Sequence, residues 1–132
     1  MDFSKLSVPK TSTFKFEVLH PETGDGVGSF IEVYSSESDQ VKRYQASLLR
    51  KVQKQEFENL RSRKPKIKEL SEYEDETIDS AVVRIAGWEN VEFDGKELEF
   101  TEENARKLLS SCKWLASQII EQSEKIGNFL KA

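Results

Sequence analysis

The sequence predicts an α+β fold, a single and mainly α-helical domain with an N-terminal β-hairpin. Two alternating segments that contain Phe and Val, at 14–18 and 30–34, predict the hairpin. Apolar residues at helical spacing through most of the remaining chain predict the helices. The length of 132 residues suits one domain, which we expect to span 13–132 behind a flexible segment at 1–12.

The N-terminal hairpin is predicted from two half-buried strands. Phe14-Lys15-Phe16-Glu17-Val18 alternates apolar and polar residues, and Phe30-Ile31-Glu32-Val33-Tyr34 forms the second strand. His20-Pro21 interrupts the first strand, and a turn rich in glycine leads into the second. The glycines of this turn are Gly24, Gly26 and Gly28.

A long first helix is predicted after the hairpin. Ser35, Ser36 or Ser38 is placed to cap it, and Pro65 ends it after about Lys64. Its apolar residues share helical spacing and are Val41, Tyr44, Leu48, Val52 and Leu60, with Leu49 and Phe57 widening the stripe.

The C-terminal half is predicted to contain three further helices and a short connection. A second helix runs from Ile67 to Ile85, with Gly87 as the residue beyond its C-terminus. Asp94-Gly95 predicts a short hairpin or loop before the C-terminal helices. Thr101 is placed to cap the third helix, and Trp114 belongs to the last helix.

Charge is distributed unevenly along the chain. The net charge is −4, and charged residues make up 33% of the sequence against 36% hydrophobic residues. Residues 42–68 carry 10 basic and 2 acidic side chains, whereas residues 69–103 carry 2 basic and 13 acidic ones. Two adjacent segments with net charges of +8 and −11 therefore follow one another.

The residues needed for common catalytic or metal sites are scarce. His20 and Cys112 are the single histidine and the single cysteine, and they are far apart in the sequence. The glycine-rich turn lacks the Gly-Lys-Ser/Thr ending of a phosphate loop, and the acidic run at 69–79 lacks the pattern of a calcium loop. We therefore expect no enzymatic activity, no cofactor and no metal.

The sequence also indicates a cytosolic, soluble protein. A single cysteine cannot form an internal disulfide bond. Met1-Asp2-Phe3-Ser4 does not begin a signal peptide, and no apolar run approaches the ~20 residues of a membrane span. We expect no contact with a membrane.

The first helix has a candidate basic face, formed by Arg43, Arg50, Lys51, Lys54 and Arg61. Such a face can neutralise nucleic-acid phosphates. Alternatively, the acidic second helix covers the basic first helix, or a partner protein does. The stretch has few aromatic residues and no surrounding nucleic-acid motif, so we favour the protein-protein interpretation.

Large apolar residues in the C-terminal half are candidates for binding a partner. Most aromatic residues at such spacing belong to a core, but one or two can remain exposed as anchors of an interface in so polar a chain. The candidates are Trp88, Phe93, Phe100, Trp114, Leu115, Ile119 and Phe129.

The C-terminal half resembles the tail assembly chaperones of long-tailed phages. The resemblance rests on Ile85-Ala86-Gly87-Trp88, Asp94-Gly95-Lys96 and Phe100-Thr101-Glu102-Glu103-Asn104. Leu108-Leu109, Trp114-Leu115 and Asn128-Phe129-Leu130 extend it, and the N-terminal half agrees more loosely. The pattern departs from these chaperones at Cys112-Lys113-Trp114, where they often carry a proline, and in its high charge.

The resemblance implies a specific role and location. Such chaperones bind the tape-measure protein, keep its apolar stretches soluble and help to recruit tail tube subunits. They act in the host cytoplasm and are not in the mature virion. The role is also compatible with a homo-oligomer. A nucleic-acid-binding regulator that uses the basic helix around 38–64 is the second hypothesis.

Overall fold

A three-stranded antiparallel sheet and four α-helices make up the fold in the computed structural model, which describes residues 1–130. The predicted α+β class is confirmed. The strands and helices are β1 (Thr13–Leu19), β2 (Gly26–Tyr34), α1 (Asp39–Arg61), α2 (Leu70–Arg84), β3 (Ile85–Glu89), β4 (Glu92–Phe93), β5 (Lys96–Glu97), α3 (Glu102–Ser111) and α4 (Lys113–Glu124). Two short 3₁₀ helices lie at Phe3–Leu6 and Ile126–Asn128.

The predicted N-terminal hairpin forms the larger part of the sheet. β1 pairs antiparallel with β2, so that Phe16 lies opposite Ile31. The turn between them uses Gly24 with φ of +76°, a backbone conformation that glycine adopts without steric cost. Phe16, Val18, Ile31 and Val33 alternate along the two strands and are buried, which agrees with the sequence pattern.

The third strand was not predicted. Gly87 was expected to end α2, but it lies inside β3, paired antiparallel with Glu32 of β2. The helix ends at Arg84 and the chain continues into β3 without a loop. The strand forms because β2 has a free edge whose backbone groups need partners.

The predicted Asp-Gly hairpin is present. Asp94 and Gly95 have φ of +54° and +74°, as a tight two-residue hairpin turn requires. Phe93 and Lys96 pair across it in the small sheet of β4 and β5.

The predicted cap Thr101 is confirmed, and of the three serines predicted as candidates for the first helix, Ser38 is the cap. The Ser38 hydroxyl accepts a hydrogen bond from the amide of Val41 at 3.4 Å, and the Thr101 hydroxyl accepts one from the amide of Asn104 at 3.0 Å. Each hydroxyl satisfies an amide that the first turn of a helix leaves without a partner. The first helix ends at Arg61 and the second begins at Leu70, so both are shorter than the apolar spacing indicated.

The core lies between the sheet and the C-terminal helices. α4 packs against β1, β2 and α2, and α2 also packs against α1 and α3. The most deeply buried large side chains include Ile31, Val33, Leu109 and Ile119. In the N-terminal segment, the Asp2 carboxylate caps the 3₁₀ helix, and Val8 packs against the core.

Candidate partner-binding surface

The main candidate surface is a helical arm, which we define as α1 from Leu48 to Arg61 together with residues 62–75. Its root is α1 up to Tyr44, where Val41 is buried. The Tyr44 hydroxyl donates a hydrogen bond to the backbone carbonyl of Glu76 in α2, 3.3 Å away. Beyond this point every residue of α1 is at least partly exposed, so the arm extends away from the core.

The turn at the tip of the arm is held by one side chain. The Asn59 amide group donates to the carbonyl of Lys66 at 3.0 Å and accepts from the amide of Lys66 at 2.9 Å. The Gln55 side chain in turn donates to Asn59 Oδ1 at 2.9 Å. These bonds give the turn a defined path, although it has little apolar packing.

Half of the large apolar side chains that residues 1–130 expose are on this arm. Leu60 and Ile67 are each 86% exposed and Leu70 is 73% exposed. The complete set on the arm is Leu49, Val52, Phe57, Leu60, Ile67, Leu70 and Tyr73. Single exposed apolar residues are normal on a protein surface, but their concentration on one segment is a reason to examine that segment as an interaction site.

The predicted basic face lies on the outer side of α1. Arg43, Arg50, Lys54 and Arg61 recur at intervals of seven, four and seven residues, which places them on one side of a helix. All four are exposed, and Lys51 is exposed beside them. Within residues 1–130 none of these five residues takes part in an ion pair.

The acidic second helix does not cover the basic one. The carboxylates of Asp79 and Glu74 pair with Arg106 of α3 and Lys113 of α4, and Glu76 pairs with Lys68, just before α2. In the described part of the chain no ion pair joins α1 to α2. The two helices do pack together, and Tyr44 of α1 supplies a hydrogen bond to the backbone of Glu76 in α2.

The structure places the candidates from the C-terminal half mainly in the core. Leu115, Ile119 and Phe129 are buried, so the expectation that they present partner-binding surface requires correction. Their side chains pack in the core between the helices and the sheet, so they are not accessible to a partner protein.

The four remaining candidates differ in exposure. Trp88, Phe93 and Phe100 are half-buried and pack against the core. The Trp88 indole donates to the carbonyl of Leu98 at 2.8 Å and meets the Phe100 ring edge-on at 5.0 Å. Trp114 is 38% exposed and keeps part of its surface available.

The residues that the sequence-based candidates missed are on the arm. Leu49, Phe57 and Leu60 were assigned to the apolar stripe of the first helix and were not among the candidate partner-binding residues. The width of that stripe was the feature of the sequence that indicated exposed apolar residues. A helix that packs against one neighbour buries only a narrow band of its residues, and this stripe is wider than such a band.

One buried arginine lacks a full set of partners. Arg84 is 3% exposed, and its guanidinium donates through Nη1 to the carbonyl and hydroxyl of Ser80. Its Nε has no hydrogen-bond partner within residues 1–130. Burial lowers the pKa of Arg84 below its usual value, an effect opposed by the charge of Glu124.

The chemistry available in residues 1–130 is limited. The His20 ring accepts hydrogen bonds through Nδ1 from the amides of Glu22 and Thr23, at 3.1 and 3.3 Å, which orders the hairpin turn. The described residues contain no group of three or more His, Cys, Asp or Glu side chains that could hold a metal ion. Nor do they include a helix long and apolar enough to cross a membrane.

Comparison with known proteins gives one family. No curated protein and no solved structure matches the chain. The model of the YdaY prophage protein family matches residues 35–132, which include the arm, the Gly-Trp strand and all four helices. The phage association expected from the sequence is thereby confirmed, and the chain belongs to the YdaY prophage protein family.

Proposed function

We propose that this prophage protein is a non-enzymatic tail assembly chaperone. It binds and solubilises the phage tape-measure protein in the host cytoplasm, helps to recruit tail tube subunits, and is absent from the mature virion. The observation that carries the proposal is the helical arm, which exposes seven large apolar side chains beside a basic face. The resemblance to tail assembly chaperones supports the same role, and the family membership supports a phage origin.

The physical basis is the way in which helices recognise one another. A tape-measure protein is long and helical, so its apolar stripes must be shielded from water before the tail forms. A partner helix that packs on Leu49, Phe57 and Leu60 buries apolar surface on both chains, at about 25 cal/mol for each Å². The charged residues around this site keep the complex in solution.

Co-expression with the tape-measure protein of the same prophage tests the proposal. The soluble fraction of the tape-measure protein should rise when the chain is present and fall with the variant Leu49→Ser/Leu60→Ser. Both leucines are exposed, so the variant should fold, which circular dichroism can check. Leu19→Ser is the matched control, because Leu19 is exposed in the hairpin away from the arm.

The result that overturns the role is a tape-measure protein that is equally soluble without the chain. If the tape-measure protein is equally soluble with the wild-type chain and with the Leu49→Ser/Leu60→Ser variant, the arm does not bind the client.

A second candidate function is nucleic-acid binding. The observation that favours it is the basic face of α1, whose five residues form no ion pair within residues 1–130. Duplex DNA should then bind at low salt and dissociate steeply as the salt concentration rises. Arg50→Gln/Lys54→Gln should weaken that binding, while Leu49→Ser/Leu60→Ser should not. Absence of binding to duplex DNA at low salt eliminates this function.

A further inference from the structure

The two helices of the arm carry exposed charges of opposite sign that have no partners in the described chain. Arg50 and Lys54 of α1 are exposed, and so are Glu72 and Asp75 of α2. Within residues 1–130 none of these four side chains forms an ion pair. The carboxylates of α2 that do form ion pairs are Glu74, Glu76 and Asp79.

Helix geometry prevents the basic residues from meeting the acidic ones inside one chain. At about 100° per residue, Arg50 lies about 160–180° around α1 from Val41 and Leu48, and Lys54 lies about 120–140° from them. Val41, Leu48 and Gln55 are the more buried positions and form the side that packs inward. The basic face therefore points away from the α2 of its own chain.

Exposed apolar side chains accompany both sets of charges. Leu49 and Leu60 lie on the basic helix, and Leu70 and Tyr73 lie on the acidic one. Each helix of the arm thus offers apolar residues together with a charge opposite to that of the other helix. A surface of this kind is complementary to itself, which is the requirement for a two-fold symmetric interface.

We propose that two copies of this chain pair through their arms, with α1 of each copy lying across α2 of the other. The pairing brings the basic face of one copy to Glu72 and Asp75 of its partner copy, and two-fold symmetry repeats the contact. It also covers the exposed apolar side chains of both arms. The occupant is a second copy because the charge complementary to each helix is present on the other helix of the same chain.

The pairing has a consequence that rests on the proposed function. The paired arms cover Leu49 and Leu60, to which client binding is assigned. The chaperone is then a dimer before it binds the client, and the client competes with the second copy for the arm. The dimer itself does not depend on the identity of the client.

Sedimentation of the full chain with two reversed-charge variants tests the pairing. The basic variant is Arg50→Glu/Lys54→Glu and the acidic variant is Glu72→Lys/Asp75→Lys. The wild-type chain should sediment as a dimer that weakens as salt rises. Each variant alone should associate at least about tenfold more weakly, because like charges then face each other at both contacts.

An equimolar mixture of the two variants supplies the decisive measurement. Arg50→Glu/Lys54→Glu leaves acidic residues on both helices of the arm, and Glu72→Lys/Asp75→Lys leaves basic residues on both. The mixed dimer therefore pairs opposite charges at both contacts. Association in the mixture should return to about the wild-type strength. Lys96→Glu and Glu97→Lys are matched controls, since both residues are exposed on β5 and should leave the dimer unchanged.

Two results overturn the proposal. One is a wild-type chain that is monomeric at its highest soluble concentration, and the other is a mixture that associates no better than its components. A monomeric chain that still solubilises the tape-measure protein would assign the arm to the client alone and leave the proposed function standing. A dimer that responds to the variants as described, but does not change the solubility of the tape-measure protein, would support the pairing and contradict the proposed function.

Discussion

The hydroxyl of Tyr44 in α1 donates a hydrogen bond to the backbone carbonyl of Glu76 in α2, at 3.3 Å. In α1, which the structure describes in full, Val41 is the one buried residue. Tyr44 therefore lies at the boundary between the part of α1 that the core holds and the part that forms the arm. Its hydrogen bond connects the base of the arm to α2.

Removing this hydroxyl should loosen the arm. We expect Tyr44→Phe to lower the free energy of unfolding by about 0.5–1.5 kcal/mol, because the ring is retained and one hydrogen bond is lost. Backbone amides of α1 beyond residue 44 should exchange faster with solvent, whereas those of β2 should not. Equal protection of α1 in both proteins would show that other contacts hold the arm.

The same side chain predicts a loss of stability at alkaline pH. Burial, and then the negative charges of Asp79 and Glu76, raise the pKa of Tyr44 above its usual value of 10.0. Above about pH 10 the unfolded chain therefore loses this proton more readily than the folded chain, so stability falls as pH rises. Urea unfolding between about pH 9 and 11 should show a steeper fall for the wild type than for Tyr44→Phe. Parallel curves would contradict the raised pKa.

Arg84 predicts opposite outcomes for two substitutions. The Arg84 charge is buried and its Nε has no hydrogen-bond partner in the described part of the chain, which costs free energy. An apolar side chain of similar length avoids that cost. Arg84→Met should therefore be as stable as the wild type or more stable. Arg84→Ala should lose about 2 kcal/mol or more, because it leaves a cavity. Thermal denaturation distinguishes the two, and equal losses in both variants would indicate that the guanidinium charge itself stabilises the fold.

Trp88 should stabilise the fold through its indole hydrogen bond. Trp88→Phe leaves the carbonyl of Leu98 without its donor, and we expect a loss of about 1–3 kcal/mol. Trp114→Phe is the control, because within residues 1–130 the Trp114 indole makes no hydrogen bond and should matter less. Chemical denaturation followed by circular dichroism measures both. A larger loss for Trp114→Phe would contradict this assignment.

Features that depend on neighbouring residues could be predicted from the sequence. The caps Ser38 and Thr101 and the turn Asp94-Gly95 are local, since each depends on the hydrogen bonds or backbone angles of residues next to it. The alternation in β1 and β2 likewise predicted which side chains are buried.

The candidate surface was harder to predict because exposure depends on what lies opposite each residue. Leu115 and Leu60 both occupy apolar helix positions in the sequence. Leu115 is in α4, which has the sheet and α2 as neighbours, and it is buried. Leu60 lies near the end of α1, where no other element of residues 1–130 covers it, and it is 86% exposed.

The sequence by itself determined the α+β class, the hairpin, the helix caps and the separation of charge along the chain, because local spacing and composition decide these features. Only the tertiary structure decided that Gly87 lies in a strand, since the free edge of β2 supplies the hydrogen bonds that make it one. The tertiary structure also decided that the basic face of α1 points away from α2. Only one side of a helix can pack against a neighbouring helix, and in α1 that side includes Val41 and Leu48. Arg50 and Lys54 are therefore exposed to solvent.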